Sequence, residues 1–354
     1  MAADPDFWRG RRVLLTGHTG FKGTWCARWL GEMGAEVTGF ALAPDTDPAM
    51  AEMVDIGADS IIADLRDRAA VVAAVKQTMP QIVLHLAAQP LVRASYDDPV
   101  GTFATNTMGT VHLLDALRDV SDLQAVLIVT TDKVYENDDT GTAFCEDAPL
   151  GGHDPYAASK AAAEIAVASF ARSFFAEAGV PVATARGGNV IGGGDFADDR
   201  LVPDIIRALR AGGTVSLRNP DAVRPWQHVL DCLDGYLTFA QALVERPDAP
   251  RALNIGPHDP TDVQTVAQVT RAMHGAMGVP DTWAQDTTPA PHAMATLALN
   301  PARARDVLGW QGRMGAADAI RLTADWYAAW VNGADMTAVT DTQIQHYRSL
   351  EPTP

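Results

Sequence analysis

An apolar run near the N-terminus, Val13-Leu14-Leu15, leads into a turn with three glycines, Thr16-Gly17-His18-Thr19-Gly20-Phe21-Lys22-Gly23. An apolar pattern from Trp25 to Met33 follows, so the stretch predicts a buried strand, a tight turn and a helix. Glycine allows the backbone to approach a ligand closely, and the N–H groups at a helix start favour negative charge. The spacing is wider than G-x-G-x-x-G. A second strand follows at once, which favours a dinucleotide site over a turn built for packing.

Strands and helices alternate through the first half of the chain. Continuous apolar strands such as Ile82-Val83-Leu84 are typical of a parallel sheet that is covered on both faces. The sequence therefore predicts an α/β fold with a Rossmann-like, doubly wound parallel sheet. The predicted strands are Glu36–Leu42, Ser60–Ala63, Ile82–Leu86, Ala125–Thr130 and Val182–Arg186, and the predicted helices are Arg66–Met79, Val100–Asp119 and Tyr156–Ala178.

The pattern loosens after Arg186, where glycine and proline become frequent. We expect residues 1–186 to form the dinucleotide-binding domain and residues 187–354 to form mainly a smaller substrate-binding region, with a segment near 224–256 returning to the sheet. The elements predicted there are helices at Val202–Ala211, Val263–Met277 and Ala316–Asn332 and a strand at Thr214–Arg218. The tail after Asn332 is either a docked arm or a frayed end.

Composition limits the classes of partner and the compartment. The 44 acidic and 27 basic side chains give a formal charge of −17, which excludes nucleic acid and anionic membrane surfaces as expected partners. We find no apolar run that approaches the roughly 18 residues of a membrane span. Cys26, Cys145 and Cys232 are far apart and lack metal-ligand spacing, so we expect a reducing cytoplasm and no metal site.

Two groups of polar residues stand at the ends of predicted elements, one at the start of a helix and one after a strand. Tyr156 and Lys160 stand four residues apart at the start of a helix and share one face. A nearby ammonium favours phenolate, so we expect Lys160 to lower the pKa of Tyr156. The strand over Ala125–Thr130 continues into Thr131-Asp132-Lys133, which places a hydroxyl, an acid and an amine at the edge of the sheet where ligands bind. The alternatives are a surface Tyr–Lys pair and a solvated turn, and the nearby dinucleotide turn favours a functional site.

Taken together, these motifs resemble the extended short-chain dehydrogenase/reductases: the glycine turn, His85-Leu86-Ala87-Ala88 at a strand end, Asn106 and Tyr156-x-x-x-Lys160. Within that superfamily the chain is similar to the nucleotide-sugar 4,6-dehydratases, and most of all to the branch that acts on CDP-glucose. The stretches that carry this likeness are Thr16–Gly23, Ala87–Arg93, Thr131–Lys133, Gly188–Asp195 and Arg224–Val229.

The resemblance implies NAD-dependent dehydration of CDP-glucose to CDP-4-keto-6-deoxyglucose. The sugar is oxidised at C4, water is eliminated across C5 and C6, and the hydride returns to C6. Tyr156 would take the C4 hydroxyl proton, Lys160 would tune it, and Thr131 would bind the C4 oxygen. Asp132 would protonate the leaving hydroxyl and Lys133 would take the C5 proton, which requires a protonated acid and a neutral amine. Related dTDP-glucose enzymes have Glu at the position of Lys133, which favours the CDP-sugar branch.

The binding residues that the resemblance implies fall into two sets. The NAD set is Gly17, Thr19, Gly20, Phe21, Lys22, Gly23, Asp64, Leu65, Ala87, Ala88, Gln89, Asn106, Thr130, Tyr156 and Lys160. The nucleotide-sugar set is Arg93, Ser95, Tyr96, Asn189, Arg218, Arg224 and His292. The second strand ends in Gly39-Phe40-Ala41-Leu42, without the acid that binds a ribose 2′-hydroxyl, so the choice of NAD over NADP depends on the resemblance.

Other functions stay open at this point. They are a 4,6-dehydratase for a dTDP-, GDP- or UDP-sugar, a nucleotide-sugar 4-epimerase, and a non-catalytic dinucleotide-binding protein. An epimerase needs no acid and base for elimination at C5 and C6, so Asp132 and Lys133 count against it. A silent module would be expected to lose Tyr156 or Lys160, and both are present. The resemblance also implies a homodimer, or a dimer of dimers, formed through the helices at Val100–Asp119 and Tyr156–Ala178.

Overall fold

A seven-stranded parallel sheet forms the centre of the computed structural model, which describes residues 3–351 except 138–140, 142, 258, 260–261 and 287–297. The strands are β1 (Arg12–Thr16), β2 (Glu36–Ala41), β3 (Asp59–Ile62), β4 (Ile82–His85), β5 (Ala125–Thr131), β6 (Val182–Gly187), β7 (Asn189–Ile191), β8 (Val215–Leu217), β9 (Val223–Arg224), β10 (Trp226–His228), β11 (Ala252–Ile255), β12 (Gln264–Thr265) and β13 (Trp283–Gln285).

Helices cover both faces of this sheet. They are α1 (Pro5–Trp8), α2 (Phe21–Glu32), α3 (Met50–Met53), α4 (Arg68–Thr78), α5 (Val92–Asp97), α6 (Pro99–Phe103), α7 (Gly109–Leu117), α8 (Pro155–Phe170), α9 (Leu201–Arg210), α10 (Val229–Glu245), α11 (Val266–Ala276), α12 (Ala316–Val331) and α13 (Met336–Ser349). Five-residue π-helical stretches at Ala104–Met108, Ala171–Phe175 and Ala304–Leu308 and a 3₁₀ turn at Asp132–Val134 complete the helical elements.

The strand order in the main sheet is β11-β6-β5-β4-β1-β2-β3, and every neighbouring pair is parallel. The chain first winds from β1 toward β3 and then continues on the other side of β1 with β4. In such sheets a crevice opens beyond the carboxyl ends of the strands where the direction reverses. The predicted α/β, Rossmann-like class is confirmed.

Alternation along the strands supplies a separate apolar core to each face. Val13 and Leu15 pack on one side, with Trp25 and Trp29 of α2 and the apolar residues of α10. Leu14 points to the other side and joins the core that helices α4, α7 and α8 cover. Both faces of the main sheet are therefore covered by apolar residues, as the continuous apolar strands predicted.

Three predicted helices differ from the observed elements. The segment predicted as one helix over Val100–Asp119 begins at Pro99 and changes to π geometry at Ala104–Met108 before α7 ends at Leu117. The helix predicted for Tyr156–Ala178 starts at Pro155, and its last turns are π-helical to Phe175. The helix predicted from Val263 starts at Val266, because Thr265 is extended and closes a capping box with Gln268. Gln264 and Thr265 instead pair with β9 as strand β12.

The segments after β6 form the region above the carboxyl edge of the sheet. Short strand pairs β7–β10, β9–β12 and β8–β13 lie there, together with α9 and α11. Within the later segments, β11 pairs with β6 and so lies at one edge of the main sheet. This region supplies the second wall of the crevice.

The tail after Asn332 is docked. Helix α13 returns to α2, where Tyr347 packs edge to face on Trp29 with ring centroids 5.5 Å apart, and Arg28 forms an ion pair with Asp341. The Tyr347 hydroxyl donates to the buried carboxylate of Asp231 on α10 at 2.8 Å. At the other end of the chain, the Ala3 N–H donates to Asp234 on the same helix at 3.1 Å.

Candidate active site

A cavity of about 550 Å³ opens at the carboxyl edge of the main sheet, between the glycine turn and the segments after β6. Most of the residues predicted from the sequence line it. These are Gly17, Thr19, Gly20, Phe21, Lys22, Gly23, Asp64, Leu65, Ala87, Ala88, Thr130, Thr131, Asp132, Lys133, Tyr156, Lys160, Asn189 and Arg224. Stretches that are far apart in the chain thus meet at one site.

The glycine turn between β1 and α2 provides one end of this cavity. Gly17 has a φ of 81°, and a Cβ there would lie 2.8 Å from the backbone nitrogen of Ala87. Helix α2 begins after Gly20, and among the described residues no side chain caps that helix end. Its first N–H groups and the helix dipole therefore face the cavity, which suits a pyrophosphate. The turn fits the predicted dinucleotide.

Gly23→Ala is expected to disrupt this turn. A Cβ at Gly23 would overlap the carbonyl oxygen of Gly17, and overpacking of this kind costs about 1–3 kcal/mol. We expect lower thermal stability and at least about tenfold weaker dinucleotide binding, measured by thermal unfolding and by titration with NAD. Gly275→Ala is the matched control, because it lies in α11 with nothing within 4 Å of its added Cβ. Equal NAD affinity in both variants would contradict the placement of the pyrophosphate.

The end of β5 carries the predicted acid and amine. Asp132 is only 3 % exposed, and its Oδ1 accepts a hydrogen bond from the Thr131 hydroxyl at 2.9 Å. Its other oxygen, Oδ2, has no hydrogen-bond partner among the described residues and lies beside Gly188, another lining residue. A buried carboxylate oxygen without a partner is costly in a purely structural role. It is therefore a good candidate to exchange a proton with a ligand.

Helix α8 presents Tyr156 and Lys160 to the same cavity. Asp154 caps the helix by accepting from the Ala157 N–H at 2.8 Å, and Pro155 occupies its first turn. The Lys160 ammonium donates to the Val129 carbonyl of β5 at 3.1 Å. Burial and, to a smaller extent, the charge of the neighbouring Lys22 lower the pKa of Lys160 to about 8, and Glu164 opposes them.

The pKa of Tyr156 is shifted in the direction opposite to the one predicted. Burial raises the pKa of its phenol to about 12; the Thr131 hydroxyl and the Arg200 guanidinium oppose the rise, and the charge of Asp132 adds to it. Lys160 directs its ammonium to the Val129 carbonyl and is not among the groups that lower the pKa of the phenol. The expectation from i,i+4 spacing was wrong because burial outweighs neighbouring charges here.

Two predicted cofactor residues lie behind the lining. The Asn106 side chain accepts from the Gln89 N–H at 2.8 Å, and its amide donates to the Gln89 carbonyl at 3.1 Å and to the Ser159 hydroxyl at 2.9 Å. It thereby ties the loop after β4 to helix α8. Gln89 donates to the Thr102 hydroxyl. In this arrangement both side chains position the wall of the cavity.

The predicted sugar-binding residues are only partly brought together. Arg93 and Arg218 do not line the cavity, and both pair with Asp199, which does, at 3.2 Å and 2.9 Å. The Ser95 hydroxyl is buried and donates to the Val92 carbonyl, and Tyr96 is 45 % exposed outside the cavity. His292 lies outside the described residues.

The cavity also contains polar residues that the sequence interpretation missed. Asp195, Asp199 and Arg200 line it, and Arg200 pairs with Asp195 at 2.9 Å. The glycine-rich stretch before Asp195 could have indicated them, since it was recognised as part of the site. Asp45 also lines the cavity, four residues beyond the end of β2. The sequence interpretation looked for a ribose-binding acid only on the strand itself, so it did not consider Asp45.

Two structural absences apply to the described part of the chain. Within these residues no helix combines the length and apolar character that crossing a membrane requires. Nor do three or more His, Cys, Asp or Glu side chains come together there in a group able to hold a metal ion. The lining charges come instead from the carboxylates, arginines and lysines named above.

The fold and site together define a dinucleotide-binding enzyme of the short-chain dehydrogenase type. Comparison with known proteins agrees, since residues 13–256 match the model of the NAD dependent epimerase/dehydratase family. The chain belongs to that family. The predicted membership and the predicted cofactor, NAD, are thereby confirmed.

Individual relatives show which enzymes of this family the chain is similar to. The chain is 42 % identical to the CDP-glucose 4,6-dehydratase of Salmonella typhimurium over 354 residues, covering 98 % of each protein. A solved dTDP-glucose 4,6-dehydratase from Streptomyces venezuelae with NAD and TYD bound is 25 % identical, with a TM-score of 0.76 and coverage of 89 % and 96 %. The Thermus thermophilus UDP-glucose 4-epimerase in complex with NAD is 28 % identical, with a TM-score of 0.77 and coverage of 89 % and 98 %. The predicted likeness to CDP-glucose 4,6-dehydratases is confirmed.

Proposed function

We propose that the protein is a hydro-lyase that uses NAD to convert CDP-glucose to CDP-4-keto-6-deoxyglucose. The observation that carries the proposal is that Tyr156, Asp132 and Lys133 line one cavity with the glycine turn. That set provides a group for proton transfer at C4 and an acid and a base for elimination. The relative from Salmonella typhimurium supports the choice of nucleotide.

NAD fits the residues present. The uncapped start of α2 and the glycines at positions 17 and 23, where a Cβ would overlap neighbouring backbone, form a cradle for its pyrophosphate. Asp45 lines the cavity beyond the end of β2, where its carboxylate would bind a ribose hydroxyl and repel a 2′-phosphate, which favours NAD over NADP. The carboxylate of Asp64, which also lines the cavity, is already paired with Arg66. When bound, NAD accepts the hydride from C4 and later supplies it to C6.

Oxidation at C4 depends on the face of α8. Tyr156 takes the proton of the C4 hydroxyl, and Thr131, whose hydroxyl lowers the pKa of the phenol, holds the C4 oxygen. Lys160, on the same helix face and held at the Val129 carbonyl, would bind the nicotinamide ribose. Burial of this phenol and ammonium keeps water away from the reacting carbon.

Elimination depends on the end of β5. The new ketone at C4 acidifies the proton at C5, so a modest base is sufficient. Lys133 removes that proton, and Asp132 protonates the C6 hydroxyl as it leaves as water, through the oxygen that has no hydrogen-bond partner among the described residues. Asn189, Arg224 and Arg200 line the part of the cavity next to Asp132, and we assign them to the diphosphate and sugar.

The alternative functions that the sequence left open would give different products. The purified protein, supplied with NAD and separately with CDP-, dTDP-, UDP- or GDP-glucose in heavy water, would be analysed by mass spectrometry and NMR. We expect CDP-glucose to lose water and gain deuterium at C5. Inversion at C4 without water loss would establish a 4-epimerase, turnover of another nucleotide would correct the substrate, and tight NAD binding without turnover would indicate a binding module.

We further propose a homodimer formed by α6, α7 and α8. Val100 is 79 % exposed and Ile165 63 % exposed; Phe103 of α6 and Met108, in the π-helical stretch before α7, are exposed as well. Apolar exposure of this kind marks an interaction surface. Ile165→Arg is expected to weaken association at least about tenfold, because it would bury an unpaired charge, as measured by light scattering. Val331→Arg, at the exposed end of α12, is the control, and a monomeric wild-type protein would contradict the proposal.

Two further assignments belong to this proposal. Residues 1–186 form the NAD-binding domain, joined by the later segment that contains β11, and residues 187–354 form mainly the nucleotide-sugar region. The free thiols of Cys26, Cys145 and Cys232 suit a reducing cytoplasm, where we place the enzyme.

A further inference from the structure

Helix α8 carries a second charged residue, Glu164, on the side that presents Tyr156 and Lys160. Glu164 lies four residues after Lys160 and eight after Tyr156, so the three side chains occupy successive turns of one face. Glu164 is 5 % exposed and does not line the cavity. Its role is therefore separate from contact with substrate or cofactor.

The carboxylate of Glu164 is fully hydrogen-bonded. Its Oε1 accepts from the Thr130 hydroxyl at 2.6 Å and from the Arg186 Nε at 2.9 Å. Its Oε2 accepts from the Thr184 hydroxyl at 2.8 Å and from the second guanidinium arm of Arg186 at 2.9 Å. A two-pronged buried ion pair with four bonds has a well-defined geometry.

This pair connects α8 to both sides of the acid–base segment. Thr130, which donates to Glu164, is two residues before Asp132. Arg186 also donates to the hydroxyl of Tyr135, two residues after Lys133, at 2.8 Å. The Glu164–Arg186 pair thus fixes the segment 131–134 relative to the helix that carries Tyr156 and Lys160.

Glu164 is also the anion that acts on Lys160. The charged groups that act on Lys160 are Lys22 on α2 and Glu164 on α8, and Lys160 in turn acts on His85 on β4. Burial lowers the pKa of His85 to about 3, so its imidazole is neutral. Burial and Lys22 lower the pKa of Lys160, and Glu164 raises it.

We propose that Glu164, held by Arg186, is a positioning residue of the active site that fixes the acid–base segment against α8 and places a carboxylate one turn beyond Lys160 on the same helix face. This inference rests on the proposed function, because it assigns Lys160 its role beside Tyr156. Neither Glu164 nor Arg186 touches the reacting atoms. Their action on the reaction passes through Lys160 and through the placement of Asp132 and Lys133.

The titration of Lys160 can be measured directly. It contains four lysines, Lys22, Lys76, Lys133 and Lys160, so ¹³C NMR of the full-length protein labelled at lysine Cε yields few signals, and Lys160→Met assigns the one of interest. Glu164→Gln keeps the shape of the side chain and removes its charge. We expect the titration of Lys160 to move about one pH unit lower. The alkaline limb of kcat for CDP-glucose should move with it, which lowers kcat about fivefold at pH 8.

Control variants separate charge from packing. Thr184→Val removes one hydrogen bond to Glu164 but keeps its charge, so the titration should stay at the wild-type value. Because Glu164→Gln leaves Arg186 buried and unpaired, it can destabilise the fold, and Glu164→Gln/Arg186→Met removes both charges. We expect the double variant to fold and to retain the lowered titration of Lys160.

An unchanged titration of Lys160 in the folded double variant would overturn the inference, as would an equal shift in Thr184→Val. The NMR measurement needs no substrate. If CDP-glucose is not turned over but the titration shifts as expected, the proposed function fails while the link between Glu164 and Lys160 stands.

Discussion

Tyr156→Phe is expected to lower kcat for CDP-glucose by about 10³-fold, because proton transfer by a positioned side chain contributes about 10²–10⁴-fold. The phenol is the group next to Thr131 on the catalytic face of α8, and the substitution removes only its oxygen. The ring still fills its buried place, so stability and NAD affinity should change little. Steady-state kinetics and NAD titration by tryptophan fluorescence measure the two effects.

Tyr347→Phe is the matched control for this substitution. Its hydroxyl is also buried, but it donates to Asp231 between α13 and α10, away from the cavity. We expect a lower melting temperature and an unchanged kcat well below that temperature. If Tyr156→Phe keeps more than about one tenth of wild-type kcat, the phenol is not the group that takes the C4 proton.

Asp132→Asn and Lys133→Met are expected to separate oxidation from elimination. Each should reduce formation of the 4-keto-6-deoxy product by about 10²–10⁴-fold, because the acid or the base for loss of water is missing. Tyr156 and Lys160 are intact in both variants, so C4 should still be oxidised. Mixing the NAD-loaded variant with CDP-glucose should therefore produce a lasting NADH absorbance, because without the C5–C6 double bond the hydride can return only to C4.

A second lysine variant controls for loss of charge. Lys76 is exposed on α4, far from the cavity lining, and Lys76→Met should leave turnover and the NADH signal at wild-type values. Loss of product without accumulation of NADH in Lys133→Met would place Lys133 in the oxidation step. Wild-type turnover in either site variant would remove that residue from the mechanism.

The parts of the site that could be predicted consist of short contiguous motifs. The glycine turn, the Thr131-Asp132-Lys133 strand end and the Tyr156–Lys160 pair each follow a strongly patterned element, and the parallel sheet brings those strand ends together. The patterned elements, together with the residues that the family resemblance implied, therefore account for most of the lining. The same reasoning identified the doubly wound sheet, because continuous apolar strands leave few other arrangements.

The parts that were missed depend on contacts across the fold. Arg218 fitted a diphosphate by its chemistry, but in the structure it pairs with Asp199, and no local pattern connects the two. The rise in the pKa of Tyr156 is caused by burial, which a helical spacing does not report. Asp45 lies beyond the strand on which an acid was sought, because the chain continues along the cavity after β2.

The docked α13 helix links the end of the chain to the cofactor turn. Its Tyr347 and Asp341 pack on Trp29 and Arg28 of α2, whose first turn faces the cavity. Proteolytic cleavage between α12 and α13 would release α13 from α2 and expose the indole of Trp29 to solvent. NAD bound at the far end of α2 should in turn slow such cleavage, so protease resistance would report cofactor occupancy from the opposite end of the helix.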